Sequence, residues 1–183
     1  MIWKNTQDRY STMSIALHWL MLALMVATYA CIELRELYPK GSDPREALKT
    51  WHFMLGMTVF ALVWLRIAAR VISGPAPAIR PVPMAWQNAA AHAVHGVLYL
   101  MMIGLPLAGW IMLSAAGKPV PFFGLELPPL IGENKDLAKQ IKEVHKFIGE
   151  AGYYLIGLHA LAAVVHHHFQ RDNTLIRMLP HRR

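Results

Sequence analysis

The sequence predicts an all-α fold, an integral membrane four-helix bundle, and three observations carry that prediction. Hydrophobic residues make up 55% of the 183 and charged ones 16%, with a mean hydropathy of +0.31. That balance belongs to chains that sit in lipid. Four apolar stretches, about 14–32, 48–69, 92–114 and 146–168, approach the ~20 residues needed to cross a bilayer as helix. The single cysteine, Cys31, leaves neither a disulfide framework nor the Cys-x-x-Cys-His motif of covalent haem attachment. Residues 1–183 therefore read as a single transmembrane domain without a soluble module.

The first helix follows a short polar start, Lys4 to Ser11, and carries His18-Trp19 near one interface. Thr28-Tyr29-Ala30-Cys31 faintly resembles a cleaved lipoprotein leader, but the residues before the cysteine are wrong and an uncleaved helix is expected. Tyr38-Pro39-Lys40-Gly41-Ser42-Asp43-Pro44 supplies turn residues that end this helix. The second helix carries His52 near its start, Gly56 one turn on, and Arg66 deeper on nearly the same face. Arginine inside a membrane segment is costly enough to require a partner. A haem propionate or a quinone head group would serve, and so would headgroups reached by Arg66 and Arg70 snorkelling outward. Ser73 to Pro83 is a stiff proline-rich connector. The third helix places His92 and His95 on one face, and Pro106 should bend it. Ala115 to Lys142 reads as the longest loop, whose charged second half is expected to form a short surface helix.

The fourth helix holds the most informative pattern. His145 and His159 stand fourteen positions apart, which at ~100° and ~1.5 Å per residue returns them to within ~40° of one face, ~21 Å apart in depth. Gly149, Gly152, Ala163 and His166 share that face, so imidazoles alternate with side chains too small to obstruct a flat cofactor. A lone histidine in an apolar helix is ordinarily a hydrogen-bonded core residue. Several at membrane depth ask for a common partner, and haem iron suits neutral imidazole. Depth matching pairs His52 with His145 and His18 with His159, which would make two b-type, six-coordinate haems suited to electron transfer. Zinc is a weaker reading, since no carboxylate or thiolate joins the histidines on matching faces. His166, His95 and Arg66 are the candidates for a quinone site, with His92 as a further proton donor. His167 and His168 are expected at the interface, and His181 in a solvated tail.

The formal charge is +7. With an even number of spans, Lys4, Arg9, Arg66, Arg70, Arg80 and the C-terminal arginines share one side against only Asp8 and Asp172. The other side carries as many basic residues, balanced by acids. The positive-inside rule, which counts Lys and Arg near span ends, then places both termini in the cytoplasm only on balance. The basic residues sit at helix ends without a continuous basic face, so no nucleic acid is expected as partner.

Leu17-His18-Trp19, His52 opening the second helix, His145 with His159, and the tail from His166 to Arg183 together resemble the bacterial cytochrome b561 family over nearly the whole chain. The resemblance implies two haem b groups, a cytoplasmic one on His18 and His159 and a periplasmic one on His52 and His145, in a multi-pass protein of the bacterial inner membrane. It also implies an oxidoreductase, first a superoxide oxidase that takes electrons from superoxide and delivers them to ubiquinone. The alternative is a cytochrome b membrane subunit that passes electrons from a periplasmic dehydrogenase or hydrogenase to quinone. Arg35, Lys40, Lys49, Lys118 and Lys146 could steer superoxide, or could simply be balanced surface charge. A structural or transport bundle without haem is the reading from a different class.

Overall fold

The computed structural model describes residues 3–180. It contains α1 (Thr12–Leu34), α2 (Asp43–Ile72), α3 (Ala85–Ala115) and α4 (Lys135–Val165), with short 3₁₀ turns at Arg35–Leu37 and Ile176–Met178. The protein is all-α in class, and all four helices are long and apolar enough to cross a membrane. In α2 and α4 charged residues extend the helix beyond the apolar stretch. The stretch after Lys135, expected as a separate surface helix, is instead the first turns of α4: Leu137, Ala138 and Ile141 continue an apolar face under the Lys and Glu residues. The loop before it holds a two-stranded antiparallel hairpin, β1 (Val120–Phe122) and β2 (Leu125–Leu127). Its two connecting residues, Phe123 and Gly124, both have positive φ, 47° and 84°. Hairpins favour such turns because their twist matches that of the strands.

Helix ends are fixed by local hydrogen bonds. Ser11 Oγ accepts from Ser14 N–H at 3.2 Å at the start of α1, and Asn134 Oδ1 accepts from Leu137 N–H at 3.0 Å at the start of α4. Both are N-cap arrangements that satisfy an otherwise orphaned donor. Pro106 lies within α3, which continues through it.

The chain divides into two compact units. The first comprises Met1–Leu20, Trp64–Leu100 and Ala151–Arg183, and the second Met21–Val63 and Met101–Glu150. Each helix contributes a segment to both. Within the second unit, Met57, Val59, Val63, Met101, Met102 and Leu113 are buried. Trp51, Phe147 and Ile148 are exposed, as are Leu100, Tyr154 and Leu161 of the first unit. Large apolar residues turned outward along every span are what a hydrocarbon solvent requires.

The first unit is closed by polar stitches. Ser11, Ser14 and Ser73 form a buried hydroxyl cluster, with Ser11 Oγ 2.8 Å from Ser73 Oγ. Asn5 Nδ2 donates to the carbonyls of Gly74 and Pro75. The segment after α4 is bound to the 73–83 connector: Asn173 N–H donates to the Arg80 carbonyl, Arg80 N–H to Asn173 Oδ1 at 2.9 Å, and Asn173 Nδ2 to the Ala78 carbonyl at 3.1 Å. Arg177 is buried, donates to the Pro77 carbonyl, and lies over the Tyr10 ring at 5.5 Å. Removing this guanidinium would strand a buried carbonyl and an aromatic face. Arg177→Ala should therefore destabilise the purified protein by about 2 kcal/mol, read as a lower midpoint of thermal unfolding in detergent, while Arg171→Ala, an exposed position, should leave the midpoint unchanged.

Candidate functional site

Each unit contains one facing pair of histidines. In the second unit the rings of His52, from α2, and His145, from α4, have centroids 6.3 Å apart and planes at 73°. His52 Nδ1–H donates to the Thr28 carbonyl at 3.0 Å, so in the neutral ring Nε2 is left as a bare lone pair. His145 Nδ1 is buried without a well-formed hydrogen bond; its Cε1 lies 3.6 Å from where a Cβ on Gly109 would stand. A methyl group at Gly109 would therefore make only an ordinary contact with the ring. Tyr29 Oη donates to the Gly149 carbonyl at 2.8 Å, tying α1 to α4 one turn from His145.

In the first unit the rings of His18, from α1, and His159, from α4, are likewise 6.3 Å apart, with planes at 70°. His95, from α3, stands 5.2 Å from His159 on the same site. Arg66 reaches this cluster rather than solvent. Its Nε donates to Tyr99 Oη at 3.1 Å and its Nη2 to His18 Nδ1 at 3.0 Å, while Nη1 is buried and unpartnered. Arg66 also lines an open cleft of about 300 Å³ together with Asn5, Tyr10, Arg70, Tyr99 and Met178. Snorkelling to headgroups, one of the two expected fates of Arg66, is not what its guanidinium does.

The donor set can be tested against haem. A metal bonded at ~2 Å to the near nitrogen of each of two coaxial imidazoles sets their centroids ~6.3 Å apart, and both pairs have that separation. A Cβ built on Gly56 or Gly149, each four positions beyond a histidine of the second pair, would meet nothing within 4 Å, so space for a flat group lies beside that pair. The second unit fits as it stands. In the first, an arginine donating to Nδ1 puts the ring proton on Nε2, so a metal at this pair requires Arg66 to turn to another acceptor. The unpartnered Nη1 shows that its donors are not saturated, and an anionic group would draw it.

His166 begins a π-helical turn, His166–Gln170, that ends at Arg171 in the left-handed conformation, φ 54°. This turn carries the chain back so that His166 Nδ1 lies 2.5 Å from Asp172 Oδ2. Nothing in helical periodicity points to that partner, because a residue six positions on does not share a face. Thr28 and Tyr99 escape sequence reasoning for a similar reason: one acts through its backbone and the other lies on a different helix from the group it meets. His92 Nδ1–H donates to the Asn88 carbonyl of its own helix at 2.6 Å. His167 and His168 pack on one another at 4.9 Å, and His181 lies outside the described residues. Of the cations expected to steer an anion, Arg35, Lys49 and Lys146 pair with Glu36, Glu46 and Glu150 at 3.1, 2.6 and 3.7 Å.

Four apolar spans that bring imidazoles together two by two define a membrane protein of the cytochrome b type. The model of the prokaryotic cytochrome b561 family matches residues 9–181, and the chain belongs to that family. It is 38% identical over 176 residues to Cytochrome b561 homolog 1 of Escherichia coli (strain K12), covering 96% of this chain and 99% of that protein. It is also 38% identical over 175 residues to the Probable superoxide oxidase CybB of Yersinia pestis, covering 96% and 98%. Cytochrome b561 homolog 2 of Escherichia coli (strain K12) is 27% identical over 183 residues, covering 98% and 95%. The protein is accordingly a multi-pass bacterial membrane protein whose family binds haem b and transfers electrons across the membrane.

Burial acts to raise the Asp172 carboxyl, but hydrogen bonds from His166 and Thr174 outweigh it and hold the group below the usual range. A depressed carboxyl contributes stability above its unfolded value, and that contribution is lost as pH falls through the folded value. Amides of residues 171–180 should therefore keep their hydrogen-exchange protection down to about pH 4 and lose it in more acidic buffer; in Asp172→Asn the protection should be weaker and independent of pH over that range.

Proposed function

We propose that the protein is a transmembrane di-haem cytochrome b that oxidises superoxide at the periplasmic face of the bacterial inner membrane and reduces ubiquinone at the cytoplasmic face, with residues 1–183 as one functional domain and both termini in the cytoplasm. The observation that carries this reading is the pair of 6.3 Å imidazole separations in a member of this family, joined to the likeness to a protein named as a probable superoxide oxidase. His52 and His145 would hold one haem and His18 and His159 the other. Haem, when bound to these histidines, would supply one-electron carriers, and electron transfer is the chemistry it would bring.

The chain's own residues then have distinct tasks. The Thr28 carbonyl holds His52 in the tautomer that leaves Nε2 free. Arg66 would give its donors to a haem propionate or to a quinone oxygen, and His95 stands beside His159 where it can hydrogen-bond the same group. His166 is the proton donor to quinone. The stoichiometry is two superoxide anions losing one electron each to become dioxygen, while one ubiquinone gains those two electrons and two protons to become ubiquinol.

The ion pairs made by Arg35, Lys49 and Lys146 favour a second reading on the donor side, because a paired surface steers a small anion poorly and suits a docked protein donor. Mixing the oxidised protein with enzymatically generated superoxide separates the two: rapid haem reduction, followed by quinol formation when quinone is added, is expected. Reduction no faster than in an unrelated haem protein would leave a membrane subunit fed by a periplasmic dehydrogenase or hydrogenase. His159→Ala should lose one haem and keep the other in a pyridine haemochrome assay, and retention of both would refute the pairing.

A further inference from the structure

The His166–Asp172 contact has a geometry that side chains at a membrane surface do not need for packing. Asp172 is 4% exposed, and both of its oxygens are engaged: Oδ2 with His166 Nδ1 and Oδ1 with the Thr174 backbone N–H at 2.8 Å. Its own N–H donates to the His166 carbonyl at 3.2 Å. Asp172 is therefore held at three points, two of them on its carboxylate, while His166 Nε2 has no partner among the described residues. Building this clamp requires a π turn and a non-glycine residue in the left-handed region, and such local departures from α-helix occur most often at functional positions.

We infer that Asp172 is a positioning residue for proton delivery to quinone: it fixes the His166 tautomer and ring plane and leaves Nε2–H as the donor. This rests on the assignment of His166 to the quinone site. In each proton transfer the Nε2–H bond breaks and a quinone O–H bond forms as an electron reaches the quinone from the reduced cytochrome. The imidazole is then reprotonated from the aqueous phase, and Asp172 stays ionised throughout. The other charged group facing the pair is Arg177, buried nearby in the 3₁₀ turn and placed over Tyr10 from the chain's N-terminal segment. It favours the ionised carboxylate, so the dyad is an acceptor–donor pair with its charge already compensated. A buried carboxylate behind an imidazole is a recurrent device for making the ring a better proton carrier.

The test uses the haem-loaded protein and a short-chain ubiquinone, with haem content, haem reduction by dithionite, and ubiquinol formation followed from pH 6 to 9. Asp172→Asn should keep both haems and their reduction, leave KM for quinone within about twofold, and lower kcat by about 10- to 100-fold at alkaline pH. The deficit should shrink toward pH 6, where protons from the aqueous phase are more abundant. Asp172→Glu should show a smaller loss of the same shape, and it carries the test if Asp172→Asn fails to assemble. A loss that is uniform across pH, or no loss while His166→Ala abolishes ubiquinol formation, would overturn the role of Asp172 and leave the quinone assignment standing. Full ubiquinol formation by His166→Ala would instead remove His166 from the quinone site altogether.

Discussion

The constraint on which the structure depends is that a polar ring in hydrocarbon must find a partner, because lipid offers none. Among the histidines within the spans are those at positions 18, 52, 95, 145, 159 and 166, and the structure sets each against another group. His52 gives its outer nitrogen to a backbone carbonyl, His18 takes a guanidinium, His166 takes a buried carboxylate, and His145, His159 and His95 face other imidazoles. The rest of the fold serves those arrangements. Gly149 offers a carbonyl beside them, and Tyr29 and Tyr99 fix the neighbouring groups from other helices.

The two facing pairs are not equivalent in their surroundings. One is backed by a carbonyl, which enriches the ring in electron density, and the other by a cation that competes for it. A cofactor would enter the first by displacing nothing, but would enter the second only by winning Arg66 away from His18. The arginine that bonds His18 and Tyr99 is thus the natural counter-ion for an anionic group arriving there.

Much of this was legible in the sequence, and the reason is periodicity. Four apolar runs of bilayer length leave little choice of fold, and a fourteen-residue interval returns His145 and His159 to one helical face whatever the neighbours do. What stayed hidden depends on backbone departures that periodicity cannot encode. The hairpin at 120–127 needs positive φ at Phe123, a residue with no preference for it. The partnership of His166 with Asp172 needs a π turn and a left-handed Arg171. Thr28 acts through a carbonyl that every residue possesses. The charged run after Lys135 looked like a separate element because composition changes there, yet the apolar face passes through it unbroken. Charge counting left the cations near Glu36, Glu46 and Glu150 open between steering and balance, since it sees signs and not pairings.

The stitches between residues 171–180 and the 73–83 connector have a consequence for how the molecule is made. The first unit is assembled from three stretches widely separated along the chain, and its closing bonds, from Asn173 and Arg177, belong to the portion translated after all four helices. During synthesis from the N-terminus, Pro77, Ala78 and Arg80 must wait with their backbone groups open until α4 has been laid into the bilayer. A nascent chain interrupted before that moment carries an unsealed end.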